Sequence, residues 1–341
     1  MHKRTVIIVS VVVLIVLILI AAVLAQTKSK AQNPEKPVLR IGYLPILHAA
    51  LPLIVYTQNE GKLEHFDLEM VKFSNWAELA EALQAGKIDG GGDILNNLAF
   101  KIVSKGVPLQ SVLMAVRDGS SLIVRNDINT PGDLKGKTIA VPSRFSPHYV
   151  LLHKYLIDHG LNPDTDLILL DMAPPDMVQA LASGSIDGYI VAEPFGAQAE
   201  ELGIGKVLVL SRDMEIPDAK STECGITIRK EFIDRYPFAV QEFVDKLIQA
   251  GIWIDQEPEE AAKLLEPILG QKPSTILHAL VEPLGRSRFV DLYPREKEYQ
   301  ALQDYMFSLG LLEKKIDIAV FVQERFAEQA YKKFGLTKQD W

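Results

Sequence analysis

The architecture can be inferred from the segment Ala180-Leu181-Ala182-Ser183-Gly184-Ser185-Ile186-Asp187-Gly188, because residues 82–90 carry the same Ala-Leu, Gly and Ile-Asp-Gly at the same spacing. Segment 39–92 aligns with segment 137–190 without a gap. Such self-similarity indicates an internal duplication. Each copy predicts the order strand, loop, helix, strand, helix, strand, in which the isolated glycine ends a helix and Ile-Asp-Gly begins a buried strand.

Strands that alternate with helices predict parallel sheets covered on both faces, so the two copies predict an α/β protein with two lobes. The alternative is two such units inside one larger sheet. Two similar short strands, 122–125 and 226–229, are interpreted as side-by-side crossings that form a hinge. The predicted first lobe is therefore 38–124 plus 226–341, and the predicted second lobe is 125–225.

Four helical patterns follow the second crossing and are expected to pack on the first lobe. Their apolar residues recur at three- and four-residue spacing, which is typical of amphipathic helices. They span residues 238–254, 259–269, 295–309 and 318–334.

Composition narrows the classes of function. The chain has 341 residues, with 36 Lys+Arg against 44 Asp+Glu and a net charge of -8. This acidic balance argues against nucleic-acid binding, which requires a basic face. Cys224 is the sole cysteine, which excludes an internal disulfide and a multi-cysteine metal site. It fits a small buried thiol better than a nucleophile.

The N-terminus predicts export. Lys3 and Arg4 precede an apolar run at 6–24, which as a helix is about 28 Å long, close to the hydrocarbon thickness of a bilayer. Positive charge before such a run predicts that the following chain is exported. Residues 1–25 are interpreted as either a cleaved signal peptide or a retained membrane anchor, and residues 26–37 as a flexible tether.

Ligands of parallel α/β sheets bind beyond the carboxyl ends of the strands. The loops after the first strand of each copy are therefore candidate binding segments. The loop at 44–50 contains His48, and its counterpart at 142–148 contains Phe145. With two lobes facing each other, both loops are expected to line one cleft.

The second of these loops leads into a predicted helix. Ser146 is the predicted N-cap, Pro147 suits the first helical position, and His148 falls in the first turn. Free N–H groups at such a helix start favour an anionic or oxygen-rich ligand. We expect His148 at the mouth of the cleft; the alternative is a surface histidine near a helix end.

The loops after the third strands supply further candidates. Gly92 and Asp93 follow a glycine run that would admit a close ligand, although a tight strand end needs the same residues. Glu193, in the second copy, either accepts a hydrogen bond from a ligand or favours a helix N-terminus. Trp76, before a helix predicted at 78–85, either stacks on a ligand or packs in the core.

Sequence motifs for catalysis and metal binding are absent. There is no His-Glu-x-x-His pair, no Gly-x-Ser-x-Gly elbow and no Walker loop. His48 and His148 could meet across the cleft, but two histidines do not specify a metal. We therefore expect a binding protein without catalytic residues and without a resident metal or other cofactor.

Several of these segments resemble the nitrate/sulfonate/bicarbonate-type (taurine-like) substrate-binding proteins of ABC importers. The resemblance covers about residues 39–334, and it implies a two-lobed periplasmic-binding-protein fold of type II, with two hinge crossings. An N-terminal apolar helix and extra C-terminal helices would flank that fold. The segments that carry the resemblance are 75–76 (Asn-Trp), 143–148 (SRFSPH), 174–181 (PPDMVQAL), 184–188 (GSIDG) and 191–197 (VAEPFGA).

The resemblance also implies roles for individual residues. In nitrate-binding members, a tryptophan and a histidine that match Trp76 and His148 contact the anion, and a glycine that matches Gly188 lines the site. Those members have a lysine near residues 222–224, where this chain has Glu223. Bicarbonate-binding members carry a glutamate in that region and use calcium, so the resemblance leaves calcium open as a co-ligand.

Together, these features predict an exported monomer at the periplasmic or extracellular face of the cytoplasmic membrane. It would capture a small polar or anionic solute between two lobes and deliver it to the permease and ATPase subunits of an ABC transporter. One alternative is a membrane-anchored ligand-sensing domain. Another is an enzyme on the same fold that resembles pyrimidine-precursor synthases, whose cysteine-rich iron motif a single cysteine cannot supply.

Overall fold

The computed structural model describes residues 36–144, 146–214, 216–219, 222–283 and 285–338. The expected signal peptide or anchor at 1–25, nearly all of the expected tether and the candidate residue Phe145 lie outside the described residues. From Val38 onward the chain is one structural unit.

The strands of the described residues form two five-stranded sheets and a two-stranded ribbon. In chain order, the strands are β1 (Val38–Tyr43), β2 (Asp67–Lys72), β3 (Gly90–Leu95), β4 (Leu109–Met114), β5 (Arg117–Asp118), β6 (Ser120–Val124), β7 (Thr138–Val141), β8 (Ile168–Asp171), β9 (Gly188–Ala192), β10 (Lys206–Leu210), β11 (Cys224–Arg229) and β12 (Ser287–Arg288). The first sheet has the order β2-β1-β3-β11-β4, and the second has the order β10-β6-β9-β7-β8. Each copy of the repeat therefore has its own sheet, which excludes the alternative of one larger sheet.

The two copies build the same parallel core. In the first sheet β1 lies between β2 and β3, and in the second sheet β7 lies between β8 and β9. An antiparallel strand then completes each core, since β11 pairs with β3 and β6 pairs with β9. The sheets are therefore mixed, whereas the sequence predicted parallel ones.

The strands alternate with helices that cover the sheets. In chain order, the α-helices are α1 (Ala50–Asn59), α2 (Trp76–Gln84), α3 (Asn96–Ser104), α4 (Pro147–Asp158), α5 (Pro174–Ala182), α6 (Phe195–Glu201), α7 (Lys230–Arg235), α8 (Pro237–Gln256), α9 (Pro258–Leu269), α10 (Pro273–Val281), α11 (Glu296–Ser308), α12 (Ile318–Phe321) and α13 (Glu324–Phe334). Short 3-10 turns occur at Leu47–Ala49, Pro131–Leu134 and Ser211–Asp213.

The repeated Ile-Asp-Gly has one structural cause in both copies. The Asp89 carboxylate accepts a hydrogen bond from the Arg40 N–H at 2.9 Å, and the Asp187 carboxylate accepts one from the Thr138 N–H at 2.9 Å. The backbone N–H groups of the two aspartates donate in return to the carbonyls of Arg40 and Thr138. Each aspartate thus ties the start of the third strand to the start of the first strand.

The chain passes between the sheets twice, from β4 to β6 and from β10 back to β11. The prediction that 122–125 and 226–229 lie side by side is wrong, because each strand bonds within its own sheet. Leu122 is opposite Ile190 in the second sheet, and Ile226 is opposite Leu113 in the first. The first crossing instead contains β5, which pairs with β12 from the C-terminal part of the chain.

The C-terminal helices largely confirm the predicted pattern. Helices α8, α9 and α11 agree with it to within two residues at each end, but the predicted helix at 318–334 is interrupted. Val322 forms a β-bridge with Ser111, and the Gln323 N–H donates to the Ser111 carbonyl, so the backbone there bonds to β4. Helix α10 was not predicted, and it packs against α9 and also against α6.

No helix in the described ranges is both long and apolar enough to cross a bilayer.

Candidate ligand-binding site

Loops from both sheets meet around His148. His48 follows β1 and Trp76 begins α2 after β2, whereas His148 lies in the first turn of α4, after β7 of the second sheet. The ring centroid of His148 is 6.2 Å from that of His48 and 6.2 Å from that of Trp76. The structure therefore brings together three residues that the sequence proposed from separate copies of the repeat.

The start of α4 follows the prediction from its sequence. The Ser146 hydroxyl accepts a hydrogen bond from the Tyr149 N–H at 3.2 Å and donates to the Ser143 carbonyl at 2.7 Å. Pro147 is the first helical residue. Ser146 is thus a helix cap whose hydroxyl already makes two bonds within its own loop.

The His148 side chain is fully buried, so the expectation that it stands at the mouth of a cleft is wrong. The loops of the first sheet, with His48 and Trp76, cover it. Within the part of the chain that the structure describes, neither Nδ1 nor Nε2 of His148 has a hydrogen-bond partner. Burial, together with the neighbouring His48, lowers the pKa of His148 well below its usual range, so the ring is neutral.

His48 has a supporting position beside His148. Its ring stacks on the His148 ring with an interplanar angle of 13°. Its Nε2 donates to the Gly119 carbonyl at 3.1 Å, which leaves Nδ1 to accept from the Cys224 thiol at 3.1 Å. Burial lowers the pKa of His48 to about 4. Since both nitrogens are bonded, His48 orients the His148 ring and has no free nitrogen for a ligand.

Trp76 has an unsatisfied donor. Asn75 caps its helix by accepting from the Glu78 N–H at 2.9 Å, which places the indole at the first helical position. The side chain is buried, and its Nε1 has no hydrogen-bond partner among the described residues. A buried N–H without an acceptor costs about 1–3 kcal/mol, so this donor is available for a ligand atom.

Glu223 lies beside His148, at the end of the crossing from β10 to β11. Its Oε2 accepts from the Ser120 hydroxyl at 2.5 Å and lies 3.9 Å from His148 Nε2. Its Oε1 is buried and finds no donor in the described ranges. Burial, and to a smaller degree the charge of Asp118, raises the pKa of Glu223 to about 8. We call three of the side chains with unsatisfied buried polar atoms, His148, Trp76 and Glu223, the polar cluster.

Asp93 and Gly92 lie inside β3. The Asp93 Oδ2 accepts from the Leu44 N–H at 3.1 Å and thereby holds the loop that carries His48. Its Oδ1 has no partner in the described part of the chain, and burial raises its pKa to about 7. A Cβ on Gly92 would lie 2.6 Å from Pro52 Cγ, so close packing of α1 accounts for this glycine.

Gly188 lies apart from the polar cluster. It is the first residue of β9 and pairs with Ile139, near the start of β7, whereas His148 follows the far end of β7. A Cβ on Gly188 would be 2.6 Å from the Ile123 carbonyl oxygen. The structure therefore assigns Gly188 to strand packing, and the contact with a ligand that the resemblance implied has no support in its position.

Glu193 is already fully bonded. Its Oε1 accepts from the Ser121 hydroxyl at 2.8 Å and pairs with Arg286 at 2.7 Å, and its Oε2 accepts from the Ala197 N–H at 2.9 Å. Of the two alternatives for Glu193, the structure favours the one in which its carboxylate stabilises a helix N-terminus, here that of α6. Arg286 was missed at the sequence level, because it follows the unpredicted helix α10 and no local motif marks it.

A group of three side chains outside the polar cluster could, by its geometry, hold a metal ion. Within the described ranges, Glu64, His65 and Glu242 place ligand atoms within 4.8 Å of one another. The Glu242 carboxylate there accepts hydrogen bonds from the backbone N–H groups of Glu64 and His65, each at 2.8 Å. These two hydrogen bonds explain why Glu64, His65 and Glu242 lie close together at the surface, without a metal ion.

Two sheets joined by two crossings, with polar groups buried where their loops meet, define the fold of the periplasmic binding proteins. The model of the NMT1-like family matches residues 32–269. This match covers more than half of the chain, so the chain belongs to that family. The membership confirms the resemblance to nitrate- and sulfonate-type substrate-binding proteins.

Individual relatives agree with this family. The chain is 32% identical over 204 residues to the taurine-binding periplasmic protein of Escherichia coli, covering 57% of this chain and 61% of that protein. It is 26% identical over 242 residues to the nitrate import ATP-binding protein NrtC of Synechocystis, covering 65% of this chain and 35% of that protein. The chain thus spans between about a third and three-fifths of the length of these two relatives.

A solved structure supports the fold over nearly the whole chain. The ligand-binding component of an ABC-type import system from Staphylococcus aureus, solved with zinc bound, has a TM-score of 0.77 and 26% identity to this chain. The similarity covers 89% of this chain and all of that one.

Proposed function

We propose that this protein is an extracytoplasmic solute-binding protein of an ABC importer, which captures a small polar or anionic solute between its two sheets. The observation that carries the proposal is the polar cluster. Trp76 from one copy of the repeat and His148 from the other present buried nitrogens without hydrogen-bond partners among the described residues. Because such atoms are costly to bury, a solute that bonds to them stabilises this arrangement.

The proposed mechanism is closure of two lobes about the crossings. We keep the proposed lobes at 38–124 plus 226–341 and at 125–225, except that β6 (Ser120–Val124) belongs with the second sheet. Closure brings the His148 loop against His48 and Trp76 and excludes water. A solute drives closure only if it binds the closed form more tightly than the open form, and contacts to both lobes satisfy that condition.

We further propose that the closed form, as a monomer, presents both lobes to a permease that works with an ATPase. The name of the Synechocystis relative, a nitrate import ATP-binding protein, supports this kind of partner. Export to the periplasmic or extracellular face, with residues 6–24 as signal or anchor, is part of the same proposal. The solute is held and released unchanged, and its recovery after incubation with the protein tests this point.

A thermal-shift panel tests the proposed function. The panel contains nitrate, bicarbonate with and without calcium, ethanesulfonate, taurine and pyrimidines. A solute of the native protein raises Tm by mass action, so at least one class is expected to do so. A shift by bicarbonate that requires calcium would identify calcium as a co-ligand. If every solute leaves Tm unchanged, the proposal is contradicted.

The variant His148→Ala supplies the specificity control. Removing both ring nitrogens is expected to weaken binding at least tenfold, about 1.4 kcal/mol. The Tm without solute should change little, because the packing that is lost is offset by relief of two unsatisfied buried atoms. His159→Ala, in the exposed C-cap of the same helix, should leave binding unchanged. Loss of folding with unchanged affinity would show that His148 is structural.

A further inference from the structure

We propose that Glu223 meets the solute as a neutral carboxylic acid, so that a small monovalent oxyanion enters the site together with one proton. This inference rests on the proposed function and specifies its substrate class. It assigns Glu223, which sequence comparison left ambiguous, as the residue that determines specificity.

The first step of the argument concerns hydrogen-bond donors. An indole N–H can only donate, and a neutral histidine has one N–H in either tautomer. Trp76 Nε1 and the His148 nitrogens are buried and without partners among the described residues. A group that bonds to Trp76 must therefore offer an acceptor atom, and an oxyanion offers several.

The second step concerns the balance of charge. An anion needs positive charge or further donors to compensate its desolvation. Three arginines in the described segments around the crossings are already paired with carboxylates. Arg117 bonds to Glu298 at 2.7 Å, and Arg286 bonds to Glu200 at 2.6 Å as well as to Glu193. Arg288 pairs with Asp118 at 2.6 Å. These guanidinium groups are therefore committed to other carboxylates.

The third step concerns the groups that face Glu223. Among the described residues, the ionisable ones are Asp118 from β5, His148 from α4 and the adjacent Cys224. The Cys224 thiol in turn contacts His48 and faces Asp93. The hydroxyls of Ser120 and Ser211 favour the ionised carboxylate, but burial and Asp118 oppose it more strongly, and the pKa of Glu223 rises to about 8. Both histidines are neutral, because burial lowers their pKa values.

These steps have one consequence for binding. An ionised Glu223 would repel an anion held by His148, whose Nε2 is 3.9 Å from Glu223 Oε2. A protonated Glu223 adds an O–H donor beside the donors of Trp76 and His148. Since the proton is held below the pKa of the closed form and lost above it, anion affinity is expected to fall as pH rises through about 8.

Titration calorimetry of the full-length protein with ethanesulfonate and taurine tests the inference. The two probes differ only by an amino group, and the sulfonate stays ionised throughout, so proton exchange with ethanesulfonate comes from the protein. We expect ethanesulfonate to bind at least tenfold more weakly at pH 9 than at pH 6. At pH 7, which lies between the ordinary pKa of a glutamate and the raised pKa of Glu223 in the closed form, two buffers with different ionisation enthalpies should show uptake of close to one proton per solute bound.

Two variants identify the group that titrates. In Glu223→Gln, which cannot ionise, the ratio of affinities between pH 6 and pH 9 should fall below about threefold. Asp93→Asn removes the other buried carboxyl whose pKa lies in this range, and it should keep the tenfold ratio. If Glu223→Gln does not fold, the proton uptake of the unaltered protein still decides the question.

Several results would overturn the inference. One is ethanesulfonate affinity that is independent of pH, without proton uptake. Another is tighter binding of taurine with affinity that increases with pH, because an ionised Glu223 would then pair with an ammonium group. A third is no binding of either probe at pH 6. The proposed function would survive each of these results if another solute of the thermal-shift panel raised Tm.

Discussion

Gly188 shows at the scale of a single residue why a motif shared within a family need not mark a ligand contact. Gly90 and Gly188 are equivalent in the two copies, and a Cβ on either would lie 2.6 Å from a carbonyl oxygen of the adjacent antiparallel strand, Thr227 in one case and Ile123 in the other. The same close approach in both sheets is a packing requirement. It accounts for the glycine of Ile-Asp-Gly without a ligand.

The variant Gly188→Ala is therefore expected to destabilise the fold rather than to change ligand preference. Overpacking of this kind costs about 1–3 kcal/mol, measurable by urea denaturation. The control is Gly132→Ala, because a Cβ there meets only the Thr130 hydroxyl at 3.7 Å, and its effect should stay within about 0.5 kcal/mol. If Gly188→Ala instead leaves stability unchanged and weakens solute binding, Gly188 contacts the solute and the packing explanation is wrong.

The identity of two polar-cluster residues could be predicted from the sequence, but their environment could not. His148 and Trp76 stand just after strand ends, where loops of α/β sheets collect ligands, and that rule identified them. Their burial and their missing partners were not predictable, because both depend on contacts between residues far apart in the chain. His48 was predicted as a ligand contact, but its two bonds to Gly119 and Cys224 give it an orienting role.

At the scale of elements, helices α6 and α10 form a contact that neither copy of the repeat contains. Arg286, which follows α10, bonds to Glu193 at the start of α6 and to Glu200 within it. The Thr275 hydroxyl of α10 donates to Glu201 at the end of α6. The C-terminal part of the chain therefore contacts α6, which follows β9 of the second sheet, in addition to packing on the first sheet.

This contact predicts a large effect of Arg286→Met. Arg286 and Glu193 are both buried, and removal of one partner of a buried ion pair costs about 3–5 kcal/mol, because the other charge is left unpaired. Urea denaturation should show this loss. In the double variant with Glu193→Gln, at least about 1 kcal/mol should be recovered. Additive losses from the two substitutions would mean that the ion pair is not the cause.

The helices show where periodicity succeeds and where it fails. Helices α8, α9 and α11 were predicted from apolar spacing because each packs one face on its neighbours. The predicted helix at 318–334 is broken at Val322, where the backbone bonds to Ser111 of β4. A bond to a distant strand leaves no mark on local spacing, and periodicity therefore could not reveal the break.

At the scale of the whole molecule, the structure is that of a closed form. His48 and His148 come from different sheets, and both are fully buried. A solute could not reach His148 without movement of one sheet's loops away from the other's.

Small-angle X-ray scattering can detect this movement. Without solute, the radius of gyration should exceed the value calculated from this structure, and a saturating amount of the solute found in the thermal-shift panel should reduce it to that value. The physical reason is preferential binding to the closed form. His148→Ala should require a higher concentration for the same change. An identical radius with and without saturating solute would exclude closure as the response to binding.

The duplication, the α/β class and the loops that approach each other could all be inferred from the amino-acid sequence, which also favoured two lobes over one larger sheet. These properties follow from local spacing, glycine and aspartate positions, and the rule that parallel strands present their loops at one edge. The folded structure was needed to establish which strands lie in which sheet at the crossings, which carboxylates are paired, and which polar atoms are buried without a partner among the described residues. The reason is that burial and pairing depend on residues separated by a hundred or more positions, as Ser120 and Glu223 are, and local sequence carries no record of those partners.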